Sequence, residues 1–231
     1  MPKISIVIPF FNEEENVTAV LREIREKVPE AEIVAVDDGS TDRTAELIRA
    51  EPGVTGLFFP RNLGQSAALY GGLYRATGEW LVMMDGDGQN DPADIPALVE
   101  AMSRADFVCG YRRKRNDSWQ KRVASRIANG IRSRVLGDGC RDTGCTLKAI
   151  RREHLQHLVP FNALHRFLPA LLRSAGLSMV EVPANHRARR FGVSKYTVAG
   201  RAWRGLRDLL GVRWLLSRRI LWPHNPHQPP S

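Results

Sequence analysis

Residues 4–16 read Ile4-Ser5-Ile6-Val7-Ile8-Pro9-Phe10-Phe11-Asn12-Glu13-Glu14-Glu15-Asn16. The apolar, β-branched run Ile4 to Phe11 has the length of a buried strand. Asn12 is placed to cap a helix whose first turn carries Glu13, Glu14 and Glu15. Val17, Val20, Leu21 and Ile24 then recur at helical spacing. Strand followed by helix is therefore the unit, and it repeats outward from this stretch. Glu32 to Val36 precedes a helix over Thr41 to Ala50, Val54 to Phe59 one over Gly64 to Ala76, and Trp80 to Met84 one over Pro92 to Ser103. A further strand follows at Phe107 to Gly110. Strands that are continuously apolar, joined by crossover helices, predict an α/β fold: a mostly parallel, Rossmann-like sheet with helices on both faces.

After Gly110 the pattern turns to basic helices, over Ser118 to Leu136 and His165 to Ala175, with an apolar run at Met179 to Val182. Residues 1–110 hold 9 basic and 19 acidic side chains, a net −10. That leaves 25 basic and 6 acidic side chains in residues 111–231, a net +19. The whole chain of 231 residues is at +9, and the asymmetry points to a polyanionic partner for the second half. Three cysteines make no disulfide framework, and no Cys/His set has zinc-site spacing. A cytoplasmic location is expected, because no apolar stretch is long enough to span a bilayer and the first residues do not read as a secretory signal.

In open parallel sheets ligands sit beyond the carboxyl ends of the strands. Those ends are polar here, and two are doubly acidic: Asp37-Asp38-Gly39-Ser40, and Asp85-Gly86-Asp87-Gly88-Gln89. Two carboxylates and an amide oxygen at alternate positions, Asp85, Asp87 and Gln89, suit one hard cation, Mg²⁺ or Mn²⁺, with positions left for phosphate oxygens. Asp38 at a strand end is of the type that bonds a ribose hydroxyl or a base N–H. No phosphate loop of the Gly-x-x-x-x-Gly-Lys type exists and no Gly-x-Gly-x-x-Gly follows the first strand, which removes the main support for ATPase and dinucleotide-binding readings.

The segments Ile-Val-Ile-Pro-Phe-Phe-Asn-Glu-Glu-Glu-Asn, Val-Asp-Asp-Gly-Ser-Thr-Asp-Arg-Thr and Met-Asp-Gly-Asp-Gly-Gln resemble, in order and spacing, the signatures of glycosyltransferase family 2 with the GT-A fold. Within it the chain is similar to the dolichyl-phosphate mannose synthase and polyprenyl-phosphate glycosyltransferase branch, marked by Asp-x-Asp-x-Gln. The resemblance implies a GT-A domain over 1–196, divided into a nucleotide and metal half (1–110) and an acceptor half (111–196). It assigns Pro9, Phe11, Glu13, Asp38 and Asp85 to the nucleotide, and Asp85, Asp87 and Gln89 to the metal and diphosphate. Asp87, Arg112 and Arg126 are the implied catalytic residues. Arg112, Arg126, Arg189, Arg190, Ser194 and Lys195 are the implied phosphate and acceptor contacts, Arg189 to Lys195 forming a late Arg-x-x-Gly-x-Ser-Lys loop. Tyr111 departs from the family pattern, where Ser is usual.

The implied activity is inverting, metal-dependent transfer of a sugar from a GDP- or UDP-linked donor to a dolichyl or undecaprenyl phosphate. An ionised phosphate acceptor needs no strong general base, which suits strand ends without an obvious catalytic His. The alternatives are a family 2 enzyme acting on a saccharide hydroxyl and, more remotely, a nucleic-acid binding module, which leaves the acidic strand ends unexplained. Residues 197–222 mix Trp203, Leu206, Leu209, Leu210, Trp214 and Leu215 with arginines, the pattern of an amphipathic helix in the membrane interface, although a core-packing helix or a dimer contact fits it too. Residues 223–231 read as a disordered tail. The expected partners are a nucleotide-sugar, a polyprenyl phosphate, the inner face of the cell membrane and a separate membrane-anchoring subunit, with no nucleic acid. His154 and His157, three apart, read as surface or structural, Cys109 as a core thiol, and Trp80 and Trp119 as packing residues.

Overall fold

A computed structural model describes residues 2–113, 129–188 and 198–220. The strands are β1 (Ile4–Phe10), β2 (Glu32–Asp37), β3 (Val54–Phe58), β4 (Trp80–Met83), β5 (Phe107–Arg112), β6 (Lys148–Arg151) and β7 (Met179–Ala184). They form one sheet in the order β3-β2-β1-β4-β6-β5-β7. Only β6 runs antiparallel to its neighbours, pairing Lys148 with Met83 on one side and with Cys109 on the other. The expected mostly parallel sheet is therefore present, with one strand the hydrophobic pattern did not announce.

The helices are α1 (Val17–Lys27), α2 (Thr44–Ala50), α3 (Gln65–Arg75), α4 (Ile95–Ala101), α5 (129–136), α6 (Leu164–Ser174) and α7 (Val198–Ser217). Alternate residues of each strand feed opposite cores. Ile6, Ile8 and Phe10 of β1 join Val17, Leu21, Ile48, Ile95 and Leu98 from α1, α2 and α4. Val7 joins Leu69 and Leu73 of α3 and Leu168, Leu171 and Leu172 of α6 on the other face. Both faces are covered, and the helices leave the carboxyl ends of the parallel strands as a common rim.

Two boundaries differ from expectation for local reasons. Asn12 does not cap α1: it takes a left-handed φ of 52°, and Asn16 is the cap residue. Helix α2 starts at Thr44 because Thr41 and Asp42 bond the first loop instead. Of the expected helix from Ser118 to Leu136, residues 129–136 are helical, and 118–128 lie outside the described residues. His154 is buried on a 3-10 turn, Arg152–His157, with Nε2 3.6 Å from Asp106. Cys109 is a fully buried core thiol, as read from sequence.

Helix α7 docks onto the domain. Leu209 and Val212 enter a small third core with Ala163 and Phe167. Arg219 closes its end, donating from Nη1 to the Leu171 carbonyl at 2.6 Å and from Nη2 to the His157 carbonyl at 2.8 Å. The opposite stripe stays exposed, with Leu206, Leu210 and Trp214 at 47, 61 and 65%. No helix among the described residues is long and apolar enough to cross a membrane.

Candidate active site

The loops after β1, β2 and β3 are tied into one surface. The Asn12 amide donates to Ser40 Oγ at 2.9 Å, and the Thr41 amide donates back to Asn12 Oδ1 at 2.8 Å. The Glu13 amide donates to Thr44 Oγ1 at 2.9 Å, while Glu13 Oε2 accepts from Asn16 Nδ2 at 2.6 Å. Asp38 joins the third loop. Its carboxylate accepts from the amides of Leu63 and Gly64 at 2.8 and 2.9 Å and from Asn62 Nδ2 at 2.9 Å. The side chain expected to meet a ribose or base is thus 2% exposed and committed to shaping residues 62–64. Burial raises its carboxyl above the usual range against those same hydrogen bonds. Pro9, Phe11 and Glu13 are half-buried on the rim of this surface.

The acidic turn after β4 sits beside it. Gly86 lies against Phe10 with no room for a side chain, since a Cβ would fall 2.4 Å from the ring, so the two carboxylates flank a residue pressed to the sheet end. Asp85 is gripped from two sides: Gln65 Nε2, in the first turn of α3, donates to Oδ1 at 2.6 Å, and Thr146 Oγ1 donates to Oδ2. The Asp85 amide donates to Asn90 Oδ1 at 3.1 Å. Burial, then the neighbouring Asp87 carboxylate, push the Asp85 carboxyl up to about 6. Asp87 Oδ1 accepts the Gln89 amide at 3.1 Å. Gln89 Nε2 lies 3.4 Å from both the Arg187 carbonyl and His186 Nε2.

On the basic side, Arg112 does not stand alone. Its Nε and Nη2 form a two-pronged pair with Asp142 at 2.7 and 2.8 Å, which fixes the guanidinium plane. The segment from Asp142 to Thr146 therefore links Arg112 to Asp85 through its two ends. Beneath it Lys148, 2% exposed, donates to the carbonyls of Thr143, at 3.3 Å, and Cys145. Tyr111, the departure from the family pattern, has the Arg141 guanidinium 5.3 Å over its ring, and Arg141 pairs with Glu181 at 3.2 Å. Arg187 pairs with Glu23 at 2.8 Å and with Asp91 at 2.6 Å, anchoring the chain just before the late basic loop. Arg126, Arg189, Arg190, Ser194 and Lys195 lie outside the described residues.

The family model described as glycosyl transferase family 2 matches residues 5–159. The chain belongs to glycosyl transferase family 2. It is 36% identical over 203 residues to the undecaprenyl-phosphate 4-deoxy-4-formamido-L-arabinose transferase of Edwardsiella ictaluri, covering 84% of this chain and 62% of that protein. It is 35% identical over 228 residues to the dodecaprenyl-phosphate galacturonate synthase of Rhizobium johnstonii, covering 93% of this chain and 67% of that one. The chain thus spans 62 to 67% of the length of these relatives. Its fold matches the crystal structure of glucosyl-3-phosphoglycerate synthase from Mycobacterium tuberculosis in complex with Mn²⁺, UDP-glucose and phosphoglyceric acid. The TM-score is 0.72 at 23% identity, over 97% of this chain and 88% of that one. The GT-A architecture expected from the three motifs is the one observed.

In this family 2 chain the donor set of the acidic turn fits a divalent cation. All its atoms are hard oxygens, and burial together with the neighbouring Asp87 carboxylate raises Asp85, a cost of holding negative charge there that a cation offsets. Among the described residues no three His, Cys, Asp or Glu side chains gather as a complete ligand set. The Gln89 amide oxygen and phosphate oxygens are the donors that would complete it.

Sequence reading also missed His165. This imidazole, in the first turn of α6, meets Ser66 Oγ through Nδ1 at 2.9 Å, directly after Gln65, which holds Asp85. Burial, followed by the charges of Lys148 and Arg166, pushes its pKa down to about 3. Protonation is then penalised in the folded state, so stability present above the unfolded value near 6.5 is lost as pH falls towards 3. The loss approaches about 1.4 kcal/mol per pH unit, or about 2 kcal/mol by pH 5. Urea unfolding of the wild type and of His165→Gln between pH 7 and 5 is expected to show this slope reduced in the variant, and equal slopes would refute the assignment.

Proposed function

We propose that this family 2 protein transfers a sugar from a nucleoside diphosphate donor to the phosphate of a polyprenyl phosphate, inverting the anomeric carbon. The observation that carries the reading is the Asp85-Gly86-Asp87-Gly88-Gln89 turn, braced by Gln65 and Thr146 and joined through Asp142 to Arg112. The names of the two relatives, both polyprenyl-phosphate sugar enzymes, support the acceptor class.

Asp85, Asp87 and Gln89 would hold Mg²⁺ or Mn²⁺, which supplies charge stabilisation to the departing diphosphate. Pro9, Phe11 and Glu13 line the nucleotide, and Asp38 acts through the 62–64 loop it shapes. Arg112, its plane set by Asp142, faces the acceptor phosphate together with Arg126, Arg189, Arg190, Ser194 and Lys195. These cations orient a nucleophile that the diphosphate would otherwise repel. The acceptor oxygen is already ionised at neutral pH, so no side chain has to remove a proton.

The test is a panel of GDP-mannose, UDP-glucose and other UDP-sugars with undecaprenyl phosphate and Mg²⁺ or Mn²⁺. Sugar appearing on the lipid phosphate is the expected result. Preference for a bare saccharide acceptor would overturn the reading.

The acceptor also requires a membrane surface, and the exposed stripe of α7 suits one. Leu206, Leu210 and Trp214 stand at four-residue spacing with exposed Arg207 and Arg213 beside them, while Leu209 and Val212 pack inward. Replacing both Leu210 and Trp214 by Asp is expected to weaken binding to anionic vesicles at least about tenfold, from the lost apolar burial. Transfer to a short-chain, detergent-soluble acceptor should persist. Sedimentation with vesicles reads the first quantity, and unchanged binding would exclude this face.

A further inference from the structure

Among the described residues, His165 is a side chain that the transfer scheme above leaves unused, and its hydrogen bonds define its state. Ser66 Oγ accepts the Ala163 amide at 3.0 Å, and Ala163 adopts a left-handed φ of 79° in making that contact. The Ser66 hydroxyl proton has one acceptor among the described residues, His165 Nδ1 at 2.9 Å. Ser66 is 5% exposed, and a buried hydroxyl proton left without an acceptor would be costly, so the hydroxyl donates to Nδ1. A neutral imidazole that accepts at Nδ1 carries its proton on Nε2. Nε2 meets no partner among the described residues, and the residue is only half-buried.

Consecutive residues at the start of α3 therefore hold two groups: Gln65 holds Asp85 and Ser66 holds His165. Burial favours the neutral forms of both Asp85 and His165, and the buried Lys148 ammonium, to a lesser degree, disfavours protonation of both. A locked N–H donor in a positive field, held by the residue next to the one that braces Asp85, is complementary to an anionic oxygen.

We propose that His165 is a substrate-binding residue whose Nε2–H, fixed in that tautomer by Ser66, donates to a phosphate oxygen of the bound substrates. This role rests on the transfer reading above. It also makes His165 a donor that cannot serve as a general base, since its acceptor nitrogen is occupied. Two sources supply such an oxygen, the acceptor phosphate and the donor diphosphate.

The experiment uses the full chain in detergent with His165→Gln, His165→Asn and His165→Ala. Gln places an amide N–H near the position of Nε2, whereas Asn places its amide oxygen near Nδ1, where it accepts the Ser66 hydroxyl and preserves that link. Transfer by His165→Gln should stay within about threefold of wild type, with His165→Asn and His165→Ala down about tenfold to a hundredfold, the worth of a hydrogen bond to a charged group. A rise in KM for undecaprenyl phosphate assigns the oxygen to the acceptor, and a rise in KM for the nucleotide-sugar assigns it to the donor. A merely structural histidine would give the reverse order, Asn active and Gln impaired, and would overturn the role.

Nitrogen-15 spectra of His165 at pH 7 give a readout independent of the variants' folding. The Nε2–H tautomer is expected, and an Nδ1–H form or an imidazolium would refute it. Wild-type inactivity on polyprenyl phosphate with every donor would remove the transfer reading and this role together. An active wild type with an active Asn variant removes only the role of His165.

Discussion

Asp87→Ala is expected to lower sugar transfer by about a thousandfold while leaving the fold in place. Loss of one preorganised electrostatic partner of a developing charge costs about a hundredfold to a thousandfold in rate. A carboxylate ligand to a divalent cation lies at the upper end, because cation occupancy falls as well. The fold should tolerate the change: Asp87 is partly exposed, and the bond it accepts from the Gln89 amide is local to the turn. Asp85 is the less clean choice, since truncating it strands the Gln65 amide and the Thr146 hydroxyl. The paired measurement is thermal unfolding with and without Mn²⁺. Wild type should gain stability from the cation and Asp87→Ala should gain little. Full transfer by the variant would remove the acidic turn from the mechanism.

What could be read beforehand follows from which forces leave a mark in one dimension. The inner parallel strands β1, β2 and β4 bury side chains on both faces, so each appears as a short, mostly apolar run, and the Asp-x-Asp-x-Gln turn is local to the end of β4. Strand β6 leaves no such mark: it is four residues long and its first is a lysine, buried because the carbonyls of Thr143 and Cys145 satisfy the ammonium. Gln65 and Thr146 are ordinary polar residues far from Asp85 in sequence, and their grip on it exists only after the chain has folded. Asp38 was legible as a strand-end carboxylate, but its three partners at residues 62–64 were not.

One signal was available and unused. The basic half has only six acidic residues, and among the described residues three of them pair with arginines: Asp142 with Arg112, Asp138 with Arg132 and Glu181 with Arg141. Scarce carboxylates in a cationic segment mark arginines whose first partner is the protein itself. Part of the +19 charge therefore positions the site and is not simply presented to a ligand.

Gly39→Ala is expected to cost about 4 kcal/mol of stability and most of the transfer activity, because this residue is where the three strand-end loops meet. A Cβ there would lie 2.2 Å from the carbonyl carbon and 2.5 Å from the Cα of Arg61, and 2.6 Å from the amide nitrogen of Asn62. These are backbone atoms, so no rotamer change relieves the overlap. The φ of +69° adds about 1–2 kcal/mol for any residue with a Cβ. Moving residues 61–62 away would pull the Asn62, Leu63 and Gly64 donors off Asp38, at about 1 kcal/mol for each bond. Gln65 follows directly, so the same displacement loosens its hold on Asp85. Gly53→Ala is the matched control, with the same φ of +69° but only the Arg25 guanidinium nearby at 3.6 Å, and should cost about 1–2 kcal/mol with transfer unchanged. Differential scanning calorimetry separates the two, with a drop of roughly 10 °C expected for Gly39→Ala. Equal losses would mean that backbone conformation alone makes glycine necessary there, and that the β1, β2 and β3 loops do not bear on the acidic turn as one unit.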